Sequence, residues 1–542
     1  MKKILFGLSF LLFLAVGIIF YLSTQVGNLI RSRINTNPNR SYDLNFEDLS
    51  VNLLSQKVEL ERIMIIPVKS EDSNSFSGSL EKIILYNIHI WDFLIEKHLV
   101  IDEAILDRPA FRLTLTNEKS EEKKGSHAFQ KFFEDFLRRG EIKNFKVING
   151  TAELFLQEGT EIRRIGGFTD LSIQATGIQT DKIILTHIVP FELEEIKSSL
   201  KNLQMELNKG KRLNIGSVNL DLLHQEIQID DISFYTSDDL VQASEISEYQ
   251  EDMINFDLKS LTLKGIDANS DLYGKWSSFA NKLVLDSLVM VDLRNKNKPR
   301  PVESPKKLFV GLLESIPFPV DIDTVLLQNS RFDYMEIGDG KEKPGLIRFD
   351  DLNAQINGFV TVDSLRKKRA MKISLQSNFM GNTPLNAVIS VPYEEESFQL
   401  TMSLSPMDLT SLNAITEELS GVKINSGKLH RLELQMDAKE YTAQSDLTFD
   451  FEDFQIEIVK EGQTQDINKL ASFAGNMALR KTNLPNQNNY RKATFRSSRN
   501  VYRGPFNFIW ETCKTGITQI MPSEVGRMFL KNPENKKPKK KR

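Results

Sequence analysis

The clearest signal along the chain is strict alternation of apolar and polar residues in short runs. Phe111-Arg-Leu-Thr-Leu115, Glu226-Ile-Gln-Ile-Asp230 and Phe398-Gln-Leu-Thr-Met-Ser-Leu404 keep period 2, as do Leu432-Glu-Leu-Gln-Met436 and Phe454-Gln-Ile-Glu-Ile458. Such runs predict antiparallel strands with one apolar and one wet face. Turn-forming residues punctuate them at Asn149-Gly150, Gly338-Asp-Gly340, Pro344-Gly345 and Gly381-Asn382. Helical spacing is rare. Ser126 is placed to cap a segment with Phe129, Phe132, Phe133, Phe136 and Leu137 on one face, ended by Gly140. Leu308 to Leu313, stopped by Pro317, is its counterpart further on, and Asp408 caps a third segment with Leu409, Leu412, Ile415 and Leu419 inward and Gly421 after it. The expectation is a mainly β protein, a meandering sheet with few helices.

The strand pattern is written twice. Ser50-Val-Asn-Leu-Leu-Ser-Gln-Lys-Val-Glu-Leu-Glu-Arg-Ile63 returns as Asn219-Leu-Asp-Leu-Leu-His-Gln-Glu-Ile-Gln-Ile-Asp-Asp-Ile232, and Leu99-Val-Ile-Asp102 returns as Leu283-Val-Leu-Asp286. Phe168-Thr-Asp-Leu171 with Gly177 matches Phe349-Asp-Asp-Leu352 with Gly358. The spacing stays at roughly 170–185 residues, as a duplicated unit requires. The expected organisation is a first β repeat unit over 41–205, a second over 211–400 and a C-terminal β region over 401–495. The stretch 192–212 joins the two repeats and is read as partly helical.

Residues Ile4 to Leu22 form 19 uncharged, mostly apolar positions behind Lys2 and Lys3. At about 1.5 Å per residue a helix of this length just crosses a hydrocarbon core of roughly 30 Å. A cleaved signal peptide is the rival reading, but the residues after the span offer no small-x-small cleavage pair. The expected anchor is therefore uncleaved, over 4–22, with 1–3 as a cytoplasmic tail and the bulk of the chain across the membrane (N-in, C-out). Basic residues on the two sides nearly balance, so the short N-terminal tail carries the orientation.

The far end changes character. Phe506, Ile509, Trp510, Cys513, Ile517, Ile520 and Met521 fall at helical spacing within an amphipathic segment over 500–530, followed by a lysine-rich tail over 531–542 expected to be disordered. Phe506, Ile509, Trp510, Ile517 and Ile520 form a candidate membrane-surface helix beside basic residues. The same helix could equally pack on the end of a sheet.

Composition excludes more than it assigns. Across 542 residues, 40 % apolar and 26 % charged content fits a folded protein, and a net charge of −4 gives no whole-chain case for nucleic-acid binding. The single cysteine, Cys513, permits no intramolecular disulfide. Six scattered histidines show no metal-ligand spacing, and neither H-E-x-x-H nor G-x-S-x-G occurs. Gly340-Lys-Glu-Lys-Pro-Gly345 is followed by Leu346 and Ile347 where a phosphate loop needs Lys and Ser/Thr, so it reads as a turn. Asp321-Ile-Asp323 and Asp350-Asp351 lack the glycine and distal glutamate of a calcium loop. The expectation is a protein that is not an enzyme, with no cofactor and no metal.

Together, the anchor, Leu49-Ser-Val-Asn-Leu53, Val58-Glu-Leu60 with Ile63, Ile83 to Ile88, and Leu99-Val-Ile-Asp-Glu-Ala-Ile-Leu-Asp-Arg-Pro-Ala-Phe-Arg-Leu113 resemble the start of the AsmA-like family of bacterial envelope proteins. Ser426-Gly427 followed by Leu432-Glu-Leu434 and Phe454 to Ile458 is similar to that family's C-terminal region. The second repeat departs from the pattern, because Val291-Asp-Leu293 lacks a proline corresponding to Pro109. The resemblance implies a long, curved, mostly antiparallel sheet, a β-groove or taco-like trough, standing off the bacterial inner membrane into the periplasm. It also implies binding or conduction of phospholipid along that groove, in support of envelope lipid homeostasis. The strand residues that would then face lipid are Phe111, Leu113, Leu115, Ile227, Ile229, Phe398, Leu400, Met402, Leu404, Leu432, Leu434, Met436, Phe454, Ile456 and Ile458. Two sheets packed face to face would show the same alternation without a groove. An envelope scaffold that assists outer-membrane protein assembly by pairing strands at sheet edges is the alternative function.

Overall fold

The computed structural model describes residues 16–28, 31–32, 35–36, 42–68, 74–89, 99–116, 140–159, 161–179, 194–266, 278–301, 305–366, 369–458 and 465–531. The protein is mainly β, with 61 % strand and, among the described residues, 22 strands in a mixed sheet. The chain divides into two compact units, the first made of 1–232 with 262–277, the second of 233–261 with 278–542. The duplicated sequence therefore does not coincide with the compact units: residues 211–232, which open the second repeat, belong to the first.

In the first unit β1 (Tyr42–Asn45) and β2 (Asp48–Asn52) both pair antiparallel with β3 (Lys57–Pro67). Then follow β4 (Asn74–Ile88), β5 (Leu99–Asp107), β6 (Ala110–Thr116), β7 (Gly140–Glu158), β8 (Glu161–Gln179), β9 (Glu195–Glu206) and β10 (Arg212–Asp221). Strand β4 pairs with both β5 and β6, which continue one line broken at Arg108-Pro109. Strands β7 to β10 follow antiparallel, each on the last. Among its described residues the joining stretch expected to be partly helical is instead β9 and the start of β10, with a 3-10 turn over Asn208–Gly210. Strands β11 (Glu226–Tyr235) and β12 (Asp252–Lys264) contain the boundaries of the units.

In the second unit β13 (Ser278–Asn295), β14 (Val320–Ile337), β15 (Pro344–Val360), β16 (Ala370–Phe379), β17 (Thr383–Pro392) and β18 (Phe398–Leu404) pair in order. Strand β18 and the short β19 (Met407–Asp408) both lie against β20 (Val422–Ala438), which is followed by β21 (Thr442–Ile458) and β22 (Ala493–Ser498).

The sheet, expected to be mostly antiparallel, is mixed. Strands β5 and β6 run parallel to β7, with Leu99 opposite Gly140 and Ala110 opposite Thr151, and β13 runs parallel to β14, with Ser278 opposite Val320. A parallel neighbour cannot be reached by a tight hairpin and needs a crossover long enough to return the chain to its starting edge. The second repeat crosses over through a helix at Phe309–Glu314, where the sequence places one. The corresponding helix expected from Ser126 lies outside the described residues.

Two other readings are sharpened. The Asp408 side chain accepts from the Thr410 N–H, helix follows over Leu409–Leu412 and Asn413–Ser420, and Gly421 closes it in the left-handed conformation at φ 64°. Asn149-Gly150, by contrast, does not reverse the chain. It sits inside the 19-residue β7, where Asn149 takes φ 54° and adds a bulge, because the following residues stay hydrogen-bonded to β6.

Of the expected anchor, residues 4–15 lie outside the described residues, as does the basic tail beyond Lys531. Residues 16–28 are helical. Among the described residues no helix is long and apolar enough to cross a membrane.

Candidate functional site

The apolar face of the first unit is built across a line of bulges. On β3 the inward residues are Val58 and Leu60, then Ile63 and Ile65. Arg62 between them takes φ 52°, and this one extra residue resets the alternation so that both pairs stay on one face. Successive strands repeat the device. Glu81 stands opposite Arg62 and Arg108 (φ 47°), then come Asn149 (φ 54°), Asp170 (φ 54°) and Asn202 (φ 53°). The crease is tied on its polar side, where Arg108 Nε lies 2.8 Å from Glu81 Oε2 and Arg62 pairs with Glu47. A second line crosses the same strands through Asn87 (φ 51°), Asp102, Lys143 and Gly177 (φ 64°), with Lys143 Nζ 2.7 Å from Asp102 Oδ1.

The residues so aligned form one cluster. Ile63, Ile65, Phe76, Leu80, Ile83, Ile101, Ile142, Phe145, Val147, Ala175 and Ile178 are all buried, and among the described residues every buried member of the cluster comes from a strand. Phe111, one of the expected lipid-facing residues, packs half-buried against it with its ring centroid 5.1 Å from that of Phe76. Leu113 and Leu115 continue along β6, half-buried. Ile227 and Ile229 on β11 are also half-buried.

The second unit treats its apolar face differently. Leu400, Met402 and Leu404 on β18 stand opposite Met436, Leu434 and Leu432 on β20, so the sheet brings these predicted residues together. Phe398, Leu400, Leu432, Leu434 and Met436 are buried, Met402 and Leu404 half-buried. Phe454 and Ile458 on β21 are half-buried and Ile456 is buried. This cluster includes helical residues: Phe309 and Leu313 from the crossover helix, and Phe508, Cys513 and Ile520 from the Pro505–Ile520 helix. Cys513 is closed off from water, which pushes its thiol up to about 12.

That packing corrects the face assigned to the last helix. Its buried stripe is Pro505, Phe508, Thr512, Cys513, Gly516 and Ile520. Ile520 is fully enclosed, and Ile509 and Ile517 pack against the core from the side. Only Phe506 and Trp510 of the expected membrane-facing set are exposed. Gly516 lets the helix approach so closely that a Cβ there would stand 2.7 Å from Leu447 Cδ2 and 2.8 Å from Phe495 Cε1.

Reading for strict alternation misses the core of the first unit. Ile63, Ile83, Ile101 and Ile142 lie next to phase shifts, so no long window keeps period 2 through them. The available signal is an Asn or Asp where the phase slips, because these residues tolerate left-handed backbone better than other non-glycine residues.

A polar cleft of about 510 Å³ also opens in the first unit, lined among others by Ser172, Gln174, Lys197, Asn219, Asp221 and His224. Asp221 Oδ2 lies 2.8 Å from His224 Nδ1 and 3.0 Å from Lys197 Nζ. The hydrogen bond from His224 holds the Asp221 carboxyl down to about 2, so it is ionised at neutral pH. Among the described residues no group of histidine, cysteine and acidic side chains is arranged to hold a metal ion.

No family model and no curated protein matches this sequence.

Proposed function

We propose that this protein is a membrane-anchored phospholipid-binding protein of the bacterial envelope, holding acyl chains against the apolar face of its first unit. In this reading it is an AsmA-like protein of the inner membrane, oriented N-in and C-out, with its bulk in the periplasm, and it conducts lipid rather than transforming it. The observation that carries the reading is the contrast between the two apolar faces. The second unit lays helices over its own, whereas among the described residues the buried cluster of the first is made of strand residues, with half-buried Phe111, Leu113 and Leu115 continuing along β6. An acyl chain against such a face gains roughly 0.8 kcal/mol per buried CH₂.

The helix over 16–28 supports the anchor. Val16, Ile18, Phe20, Tyr21 and Leu22 are exposed on it. Its last turns meet the first hairpin, where the Leu53 N–H donates to Ser23 Oγ at 3.3 Å.

The test is purification of the full chain in mild detergent, native mass spectrometry for bound phospholipid, and a photocrosslinking residue at Leu113. Phospholipid retained and crosslinked at Leu113 is the expected result. A lipid-free protein whose Leu113 probe captures other envelope proteins instead supports the scaffold alternative and overturns the lipid reading.

A further inference from the structure

We infer that the second unit carries its own bilayer-contact surface, centred on Phe506 and Trp510 and specific for anionic head groups. This stands apart from the acyl-chain reading of the first unit and does not depend on it. The Pro505–Ile520 helix spends one face on the sheet, yet Phe506 is 67 % and Trp510 49 % exposed, one turn apart on the opposite side. Neither ring belongs to the buried stripe of that helix.

They are not isolated. The Phe506 ring meets Phe309 edge-on at 5.7 Å, which joins the helix to the crossover helix Phe309–Glu314. On that helix Leu312 is 43 % exposed one turn beyond Phe309. The Lys306 N–H donates to the Val501 carbonyl at 2.8 Å, which sets the segment before the crossover helix beside Tyr502, itself 44 % exposed. Two aromatic rings, a tyrosine and a leucine thus share one surface, the amphipathic composition that suits the boundary between water and acyl chains.

Charge selects the occupant. Lys306 and Lys307 are exposed at the rim, and neither side chain forms an ion pair among the described residues. Of the acidic side chains nearby, Glu314 pairs with Arg366 and Glu511 with Lys514, while Glu396 accepts from the Leu308 N–H. Unpaired lysines around exposed aromatics match an anionic lipid surface.

The experiment uses the full chain in proteoliposomes, with Trp91→Phe and Trp276→Phe leaving Trp510 as the only tryptophan. Brominated phospholipid in vesicles containing phosphatidylglycerol is expected to lower Trp510 emission by about half or more, because an interfacial side chain sits within roughly 10 Å of the acyl boundary. Lys306→Glu with Lys307→Glu should largely restore the emission without changing the thermal transition, and so should replacing phosphatidylglycerol with phosphatidylcholine. Trp510 open to aqueous iodide but untouched by bromolipid would overturn the inference. So would a Trp510 shielded from both quenchers, the result expected of a protein partner or a second copy of the chain.

Discussion

Gln56 and Gln225 hold the same left-handed backbone, φ 48° and 53°, and each carbonyl accepts from an isoleucine N–H, Ile88 at 3.3 Å and Ile266 at 3.2 Å. They close the two copies of the repeated hairpin. The matches extend to Arg62 and Asp231, to Asn149 and Asn329, and to Asp170 and Asp351, all with positive φ. What was duplicated is a set of bends as much as a run of apolar residues.

The bends should be sensitive to backbone preference. Asn149 is exposed, so its substitution isolates the backbone. Asn149→Val is expected to cost about 1–2 kcal/mol or more, since a β-branched residue resists left-handed backbone, while Asn149→Gly stays near neutral. Urea denaturation of both variants measures the difference.

Leu434 is fully buried beneath a helix-covered face. Leu434→Ala is therefore expected to destabilise the second unit by about 2–5 kcal/mol. Leu434→Glu should fail to fold that unit, whereas Leu113→Glu should leave the thermal transition nearly intact and abolish lipid retention. Calorimetry alongside lipid analysis separates the two, and loss of folding in Leu113→Glu would count against an open face there.

The approach of the last helix to the sheet rests on Gly516. Gly516→Ala places a methyl against Leu447 and Phe495 on β21 and β22. Overpacking of this kind costs about 1–3 kcal/mol. Faster labelling of the otherwise buried Cys513 by a thiol reagent would report the loosened helix.

Asp292 introduces a pH dependence. Burial, with the nearby Asp252 charge second, raises its carboxyl to about 6, and its Oδ1 accepts no hydrogen bond among the described residues. Between the ordinary aspartate range near pH 4 and about pH 6 the folded state holds more protons than the unfolded state, so stability falls as pH rises through that window. Asp292→Asn should then add about 1–2 kcal/mol at neutral pH and little below about pH 4, after allowance for partial exposure. Chemical denaturation at both pH values checks the sign.

Much of the architecture is legible in the chain. Alternation locates β6, β11, β18, β20 and β21, because a half-buried strand must expose every second residue. The Asp408 cap and Gly421 stop mark their helix through purely local hydrogen bonds and backbone preference. Asn149-Gly150 misleads for an equally physical reason. A left-handed residue serves a turn or a bulge alike, and only the neighbouring strand decides between them.

Periodicity and turn chemistry act over a handful of neighbouring residues, so the chain alone specifies a repeated, strand-rich protein with a few capped helices. The folded sheet is what sets β5 and β6 parallel to β7, and β13 to β14, because a crossover's return depends on the strands it packs against. Tertiary packing also sets which apolar residues are covered. Leu434 and Leu113 have the same alternating neighbours, yet the first lies buried in a cluster that helices complete and the second stays half-exposed. Burial is set by elements distant in sequence, which local pattern does not encode.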